Sequence, residues 1–213
     1  MSRYSGATIF ELLNSKRTMA CDALTSNVVA SCEAIKKPGG LDKRIWIGLL
    51  ADLDSVTFGT GNQITGFSFP TGKGLITATG KMEKNNMTMA LNAGENYNLR
   101  THSMTYVGYY LTADEIAALD ALIDQEQLFI CYETNAGTIE CVGINIGGNF
   151  DNFGLQCTAL EGGSGTAKLD PSQFALTFTG DHENLQCVFE DTSVPDRTLA
   201  DDIAYLNTLV ITS

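Results

Sequence analysis

The sequence predicts a mainly β protein, a sandwich or barrel, that carries one amphipathic helix. Glycine is plentiful and proline scarce, 21 against 4 in 213 residues, which suits short strands joined by turns. Runs of alternating apolar and polar residues recur through the middle of the chain. One segment, Leu111 to Asp124, has a full helix signature, with Thr112 at the N-cap and Glu115 completing a capping box. Ile116, Leu119, Leu122 and Ile123 then share one face at helical spacing, suited to covering a sheet face or a barrel opening.

Residues 1–40 read as an N-terminal arm. Thr8 to Leu13 has the pattern of a short helix, and the mixed stretch beyond it ends at Pro38-Gly39-Gly40, a boundary signal. The β core spans residues 41–194. Arg44 to Leu50 is a strand with apolar residues on both faces. Val56 to Phe58 and Ile64 to Phe69 follow, separated by the glycine-bearing turn Gly59 to Asn62. Gly74 to Met82 reads as a strand, and Met87 to Leu91 as a weaker one.

Asn98 to Tyr110 is the longest extended segment. Leu99, Thr101, Ser103, Thr105, Val107 and Tyr109 lie on one face; Arg100, His102, Met104, Tyr106, Gly108 and Tyr110 lie on the other. Beyond the helix, Leu128 to Glu133 and Thr138 to Gly143 flank Thr134 to Gly137, a hairpin with a glycine free to take positive φ. Gly147 to Gly154 reads as loop and Glu161 to Gly165 as a flexible stretch. Phe174 to Gly180 is a strong strand, which Leu185 to Phe189 extends or pairs with. After Pro195 a C-terminal extension, residues 195–213, carries a second cap-like signal at Thr198 to Asp201. Leu199, Ile203, Leu206 and Val210 line a helix there.

The net charge is −12, with a sequence pI near 4.4. Such a surface aids solubility and repels phosphates, which argues against reading DNA or RNA. An acidic wall also lets a polyanion slide past without sticking. Six cysteines, Cys21, Cys32, Cys131, Cys141, Cys157 and Cys187, form no CxxC pair, and with only two histidines a zinc site is not expected. Their even count permits disulfides. The N-terminus, however, shows no apolar secretion segment, and no apolar run approaches the ~18 residues of a membrane span. The expectation is a protein made in a reducing cytoplasm with mostly free thiols, Cys131 and Cys141 acting as small buried hydrophobes.

No constellation for catalysis stands out. His102 sits within a strand, and His182 precedes Glu183 without HExxH spacing; neither has a nucleophile motif beside it. Gly59 to Gly66 has the wrong glycine spacing for a phosphate loop and leads into a strand rather than a helix. Lys73 lacks the P-loop frame, and Asp52, Asp54 and Asp151 follow no EF-hand pattern. Asn86-Met-Thr88 is a glycosylation sequon by pattern only. No catalytic, cofactor-binding or metal-binding residue is assigned, no cofactor is expected, and the protein is not expected to be an enzyme.

Several phrases recur in a familiar order. Gly39-Gly40 precedes Arg44-Ile-Trp-Ile47, then come Gln63-Ile-Thr-Gly-Phe67 and Gly72-Lys73. The long strand and the helix to Leu122 lead to Leu128-Phe-Ile130 and Asn135-Ala-Gly137, and glycine-rich loops to Phe174-Ala-Leu-Thr-Phe-Thr-Gly180 and Glu183. In this layout, over roughly residues 32–190, the chain resembles the tail-tube-like virion proteins of phages and prophages of Bacteroides-type bacteria.

The resemblance implies a β-sandwich or barrel of tail-tube type with one flanking helix, built like the type VI secretion tube protein. It implies a noncatalytic structural subunit that forms rings, often hexameric, stacked around a DNA channel. The implied partners are further copies of the chain, other tail or neck proteins, and DNA passing without specific binding; no membrane is involved. The implied location is the virion, assembled in the host cytoplasm. Glu83, Glu95 and Asp151 are candidate lumen residues. A head–tail ring, neck or capsid-decorating protein with the same core is the alternative within this class. A carbohydrate-binding β-domain is the alternative from another class, weakened because the single tryptophan, Trp46, lies in a strand that reads as buried. A secreted, cysteine-stapled adhesion module is the last.

Overall fold

The computed structural model describes residues 39–80, 84–94, 98–109, 112–146, 154–163 and 173–211. Of the sequence reading, nearly all of the N-terminal arm, with Cys21 and Cys32, and also Glu83, Glu95 and Asp151, lie outside the described residues.

The strands in chain order are β1 Leu41–Leu49, β2 Ser55–Phe58, β3 Gln63–Ser68, β4 Ile76–Thr79, β5 Asn86–Ala93, β6 Asn98–Tyr109, β7 Leu128–Thr134, β8 Ile139–Val142, β9 Gln156–Gly163, β10 Gln173–His182 and β11 Cys187–Phe189. Helix α1 covers Ala113–Ile123 and helix α2 Leu199–Thr208. The strands make two sheets. One has seven strands in the order β2-β3-β11-β8-β7-β1-β4, the other four in the order β5-β6-β10-β9. Among the described strands only β3 and β11 pair in parallel; Leu75 and Val210 form an isolated parallel bridge. Among the described residues neither sheet closes, so the architecture is open sheets rather than a barrel.

Alternation along β1 and β7 makes the seven-stranded sheet the middle layer. Trp46, Phe129 and Cys131 point into one core, while Ile45, Ile47, Leu128, Ile130 and Tyr132 point into another. A strand buried on both faces must be apolar on both faces, which is the pattern that Arg44 to Leu50 shows in sequence. The second core lies between this sheet and the four-stranded one, where Met104, Tyr106, Leu176 and Phe178 meet it.

Helix α1 begins as its sequence predicts. The Thr112 hydroxyl accepts from the Glu115 N–H, and the Glu115 carboxylate accepts from the Thr112 N–H. Leu122 is buried in the second core, with Leu119 and Ile123 packed against it. Ile116, placed on the same face by spacing, stays 41% exposed because the N-terminal turn of the helix extends past the core.

The chain carries a second helix in addition to the one in the predicted fold class. Helix α2 covers the other face of the middle sheet. Leu206 is fully buried in the first core, and Leu199, Ile203 and Tyr205 pack beside it. The Tyr205 hydroxyl both accepts from the Phe67 N–H and donates to the Phe67 carbonyl. Trp46 Nε1–H donates to Asn207 Oδ1 at 3.1 Å. The Asp202 carboxylate, nearly buried, accepts from the Asp191 N–H and from Arg197. Residues 199–210 of the C-terminal extension are thus fastened to the core.

Two expectations need correction. Glu161 to Gly163, read as flexible, are the last residues of strand β9, paired with Gln173 to Ala175. Cys131 and Cys141, read as free thiols, are joined by a disulfide; Cys157 and Cys187 are free. The β7–β8 turn does follow expectation, with Gly137 at φ 82° and its N–H donating to the Thr134 carbonyl.

Candidate assembly surface

The two sheets treat their edges differently. The edge strands of the seven-stranded sheet, β2 and β4, have four residues each. Short edges are one way proteins avoid unwanted pairing. The edge strands of the four-stranded sheet, β5 and β9, have eight residues each, about 26 Å of extended backbone. Neither contains proline, lysine or arginine, and Glu161 is the only charge on either. Proline and lysine, two of the devices that blunt a free edge, are thus missing from both, and β9 carries a bulge at Thr158.

Apolar side chains accompany these edges. Met89 and Leu91 lie two and four residues beyond Met87, which packs on the second core, so they share its side of the sheet. Leu160 is opposite the buried Leu176 and also shares that side. Yet Met89, Leu91 and Leu160 are 41%, 63% and 51% exposed. Among the described residues the sheet overhangs its core at both margins and leaves greasy positions beside edge backbone that no described strand pairs.

The opposite face of this sheet is hydroxyl-rich. In register across the strands, Thr88 faces Ser103 and Ser103 faces Thr179; a second row sets Asn86 against Thr105 and Thr105 against Thr177. The rows are cross-linked: Thr105 and Thr177 hydroxyls lie 3.4 Å apart, the Thr179 hydroxyl donates to Thr158 at 3.3 Å, and the Thr101 hydroxyl donates to Asp181. The charged residues at outward positions of the four strands are Asp181 and Glu161, with no lysine or arginine. Arg100 is on the core-side parity, and its guanidinium donates to the Glu183 carbonyl.

The catalytic candidates fall elsewhere. His102 and His182 are 2% and 1% exposed, inside the protein. The Asn184 backbone approaches His102, yet no ring nitrogen of either histidine completes a hydrogen bond. Burial lowers both to a pKa of about 4, so both are neutral. Lys73 pairs with Asp52 at 3.0 Å, and Asp54 lies exposed just before β2. Gly59 to Gly66 spans the end of the β2–β3 hairpin and most of β3, a turn and a strand as expected. Among the described residues no cluster of three or more metal-ligating side chains occurs. Trp46 is fully buried and offers no stacking platform.

Sequence reading missed strand β9, and with it the second long edge strand of the four-stranded sheet. It also missed the opposition of Cys131 and Cys141, although both lie five residues from Ala136 at the centre of the turn, which fixes that register. No protein-family model matches the chain, and neither a curated protein nor a solved structure matches it. No described helix is long and apolar enough to cross a membrane.

Proposed function

We propose that this protein is a noncatalytic bacteriophage virion structural protein, the subunit of an oligomeric tail-tube ring around a DNA channel. The observation that carries this reading is the four-stranded sheet, whose two long edge strands pair with no further strand among the described residues. Its strands alternate in direction, all three pairings being antiparallel. With four alternating strands, β9 of one copy meets β5 of the next in antiparallel orientation, and the same contact repeats around a ring. Pairing removes the open backbone edges and covers Leu91 and Leu160.

The hydroxyl face then lines the channel. Threonine and serine present hydrogen-bonding groups without positive charge, Asp181 and Glu161 add negative charge, and the chain as a whole carries −12. The outward positions of the four described strands offer DNA phosphates no lysine or arginine, so the polymer passes without being held. The partners are other copies of the chain and neighbouring tail or neck proteins, and the location is the virion.

Static light scattering and negative-stain electron microscopy of the purified full chain test this. Closed rings or stacked tubes, lost in Leu91→Lys and Leu160→Lys variants that keep the wild-type circular dichroism spectrum, support the reading. A chain that stays monomeric at high concentration, alone and with purified tail components, overturns it.

A further inference from the structure

Cys131 on β7, Cys141 on β8 and Cys187 on β11 form a row across three neighbouring strands. Antiparallel register places Cys131 opposite Cys141, and Cys141 opposite Cys187. All three belong to the first core and none is more than 1% exposed. Cys131 and Cys141 are joined, with Cα atoms 4.1 Å apart, and Cys187 is a free thiol. Directly opposed residues of an antiparallel pair have Cα atoms about 4.5–5.5 Å apart, a separation that a disulfide also spans. The Cys141 sulfur therefore has a candidate partner on each side and can bond only one of them.

We propose that this row is a two-register disulfide, in which Cys141 is bonded to Cys131 in one form and to Cys187 in the other, the two interconverting by thiol–disulfide exchange. In the exchange Cys187 gives up its proton and its thiolate attacks the Cys141 sulfur. The Cys131–Cys141 bond breaks as the Cys141–Cys187 bond forms, and Cys131 departs as a thiolate that takes up a proton. Thiol and disulfide counts are unchanged, so no outside oxidant is needed.

Burial pushes the Cys187 thiol up to about 11, which makes the thiolate scarce at neutral pH and the exchange slow in the folded chain. The two registers hold different parts together. Cys131–Cys141 spans 10 residues within one hairpin. Cys141–Cys187 spans 187 − 141 = 46 residues and ties β11, and the segment leading to α2, to that hairpin. Closing the longer loop removes more freedom from the unfolded chain, so the second register favours the folded state more.

Peptide mapping by mass spectrometry without reduction tests the proposal. The full chain is incubated at pH 9 with a trace of reduced glutathione, acid-quenched, alkylated and digested. Peptides linked through Cys141–Cys187 are expected to appear beside those linked through Cys131–Cys141. In a Cys131→Ser chain treated with oxidised glutathione, Cys141 and Cys187 are expected to lose their alkylatable thiols to a mutual bond, each bond formed reducing one glutathione disulfide. The proposal is overturned by a wild-type chain that yields only the Cys131–Cys141 link across the pH range in which it stays folded. It is equally overturned by a folded Cys131→Ser chain that keeps both thiols. Neither readout depends on ring assembly.

Discussion

The imidazole rings of His102 and His182 stack with centroids 4.5 Å apart and planes inclined by 29°, one carried by β6 and the other by β10. Gly180 is opposite His102 in the β6–β10 register and leaves room for the stack; a Cβ there would come within 3.1 Å of His182 Nε2. Protonation would place two like charges side by side in a sealed site. The charges nearest the pair are Arg100 and Asp181, and the Asp181 carboxylate already accepts from Thr101.

Acid should therefore destabilise the protein through this pair. The folded state holds both rings at about 4, while the unfolded chain titrates at the ordinary 6.5. Above that value neither state is charged and the pair makes no pH-dependent contribution. As pH falls from 6.5 toward 4, the unfolded chain takes up protons that the folded one refuses, and stability drops. At ~1.4 kcal/mol per unit, the loss by pH 4 is on the order of several kcal/mol. Urea unfolding between pH 7 and pH 4 is expected to show a steep decline for the wild type and a shallower slope for a His102→Phe, His182→Phe double variant. Equal slopes would contradict this account of the pair.

Thr112 caps α1 through its hydroxyl and through the reciprocal bond with Glu115. Thr112→Ala is expected to lower stability by about 1 kcal/mol, whereas Thr112→Ser keeps the acceptor and costs little. Denaturant midpoints of the two variants compare the effects directly. Loss of equal size in both would mean that the methyl group, rather than the cap, matters.

Leu206 fastens α2 to the middle sheet with no exposure. Leu206→Ala is expected to cost about 2–5 kcal/mol, by lost burial and by the cavity left. Ile211, which is 45% exposed just beyond the helix, serves as a control: Ile211→Ala should shift the midpoint by about 0.5 kcal/mol or less.

Legibility followed the range of the interactions involved. Helix α1 was readable because a capping box and its apolar stripe lie within one short segment. The middle position of β1 was readable because Trp46 and its neighbours Ile45 and Ile47 are apolar on opposite faces. Strand β9 was not readable: nearly all of its residues are exposed, so no apolar alternation marks it, and Gly162-Gly163 imitate a linker. Its place is set by β10, a partner later in the chain. The faces of β6 as far as Tyr109 were assigned correctly from parity, Tyr110 lying outside the described residues, but the stacking partner of His102 lies in a different strand, which no local pattern reveals. The hydroxyl-rich face was invisible for the same reason. Thr88, Ser103 and Thr179 form a row only once three strands are in register.

The most direct test of the central claim is negative-stain electron microscopy of the purified full chain, imaged beside the Leu91→Lys and Leu160→Lys variants. The account predicts rings or stacked tubes for the wild type and dispersed, folded single subunits for both variants. Wild-type particles that remain single subunits under conditions where the tail components assemble, or rings that persist unchanged in both variants, would contradict it.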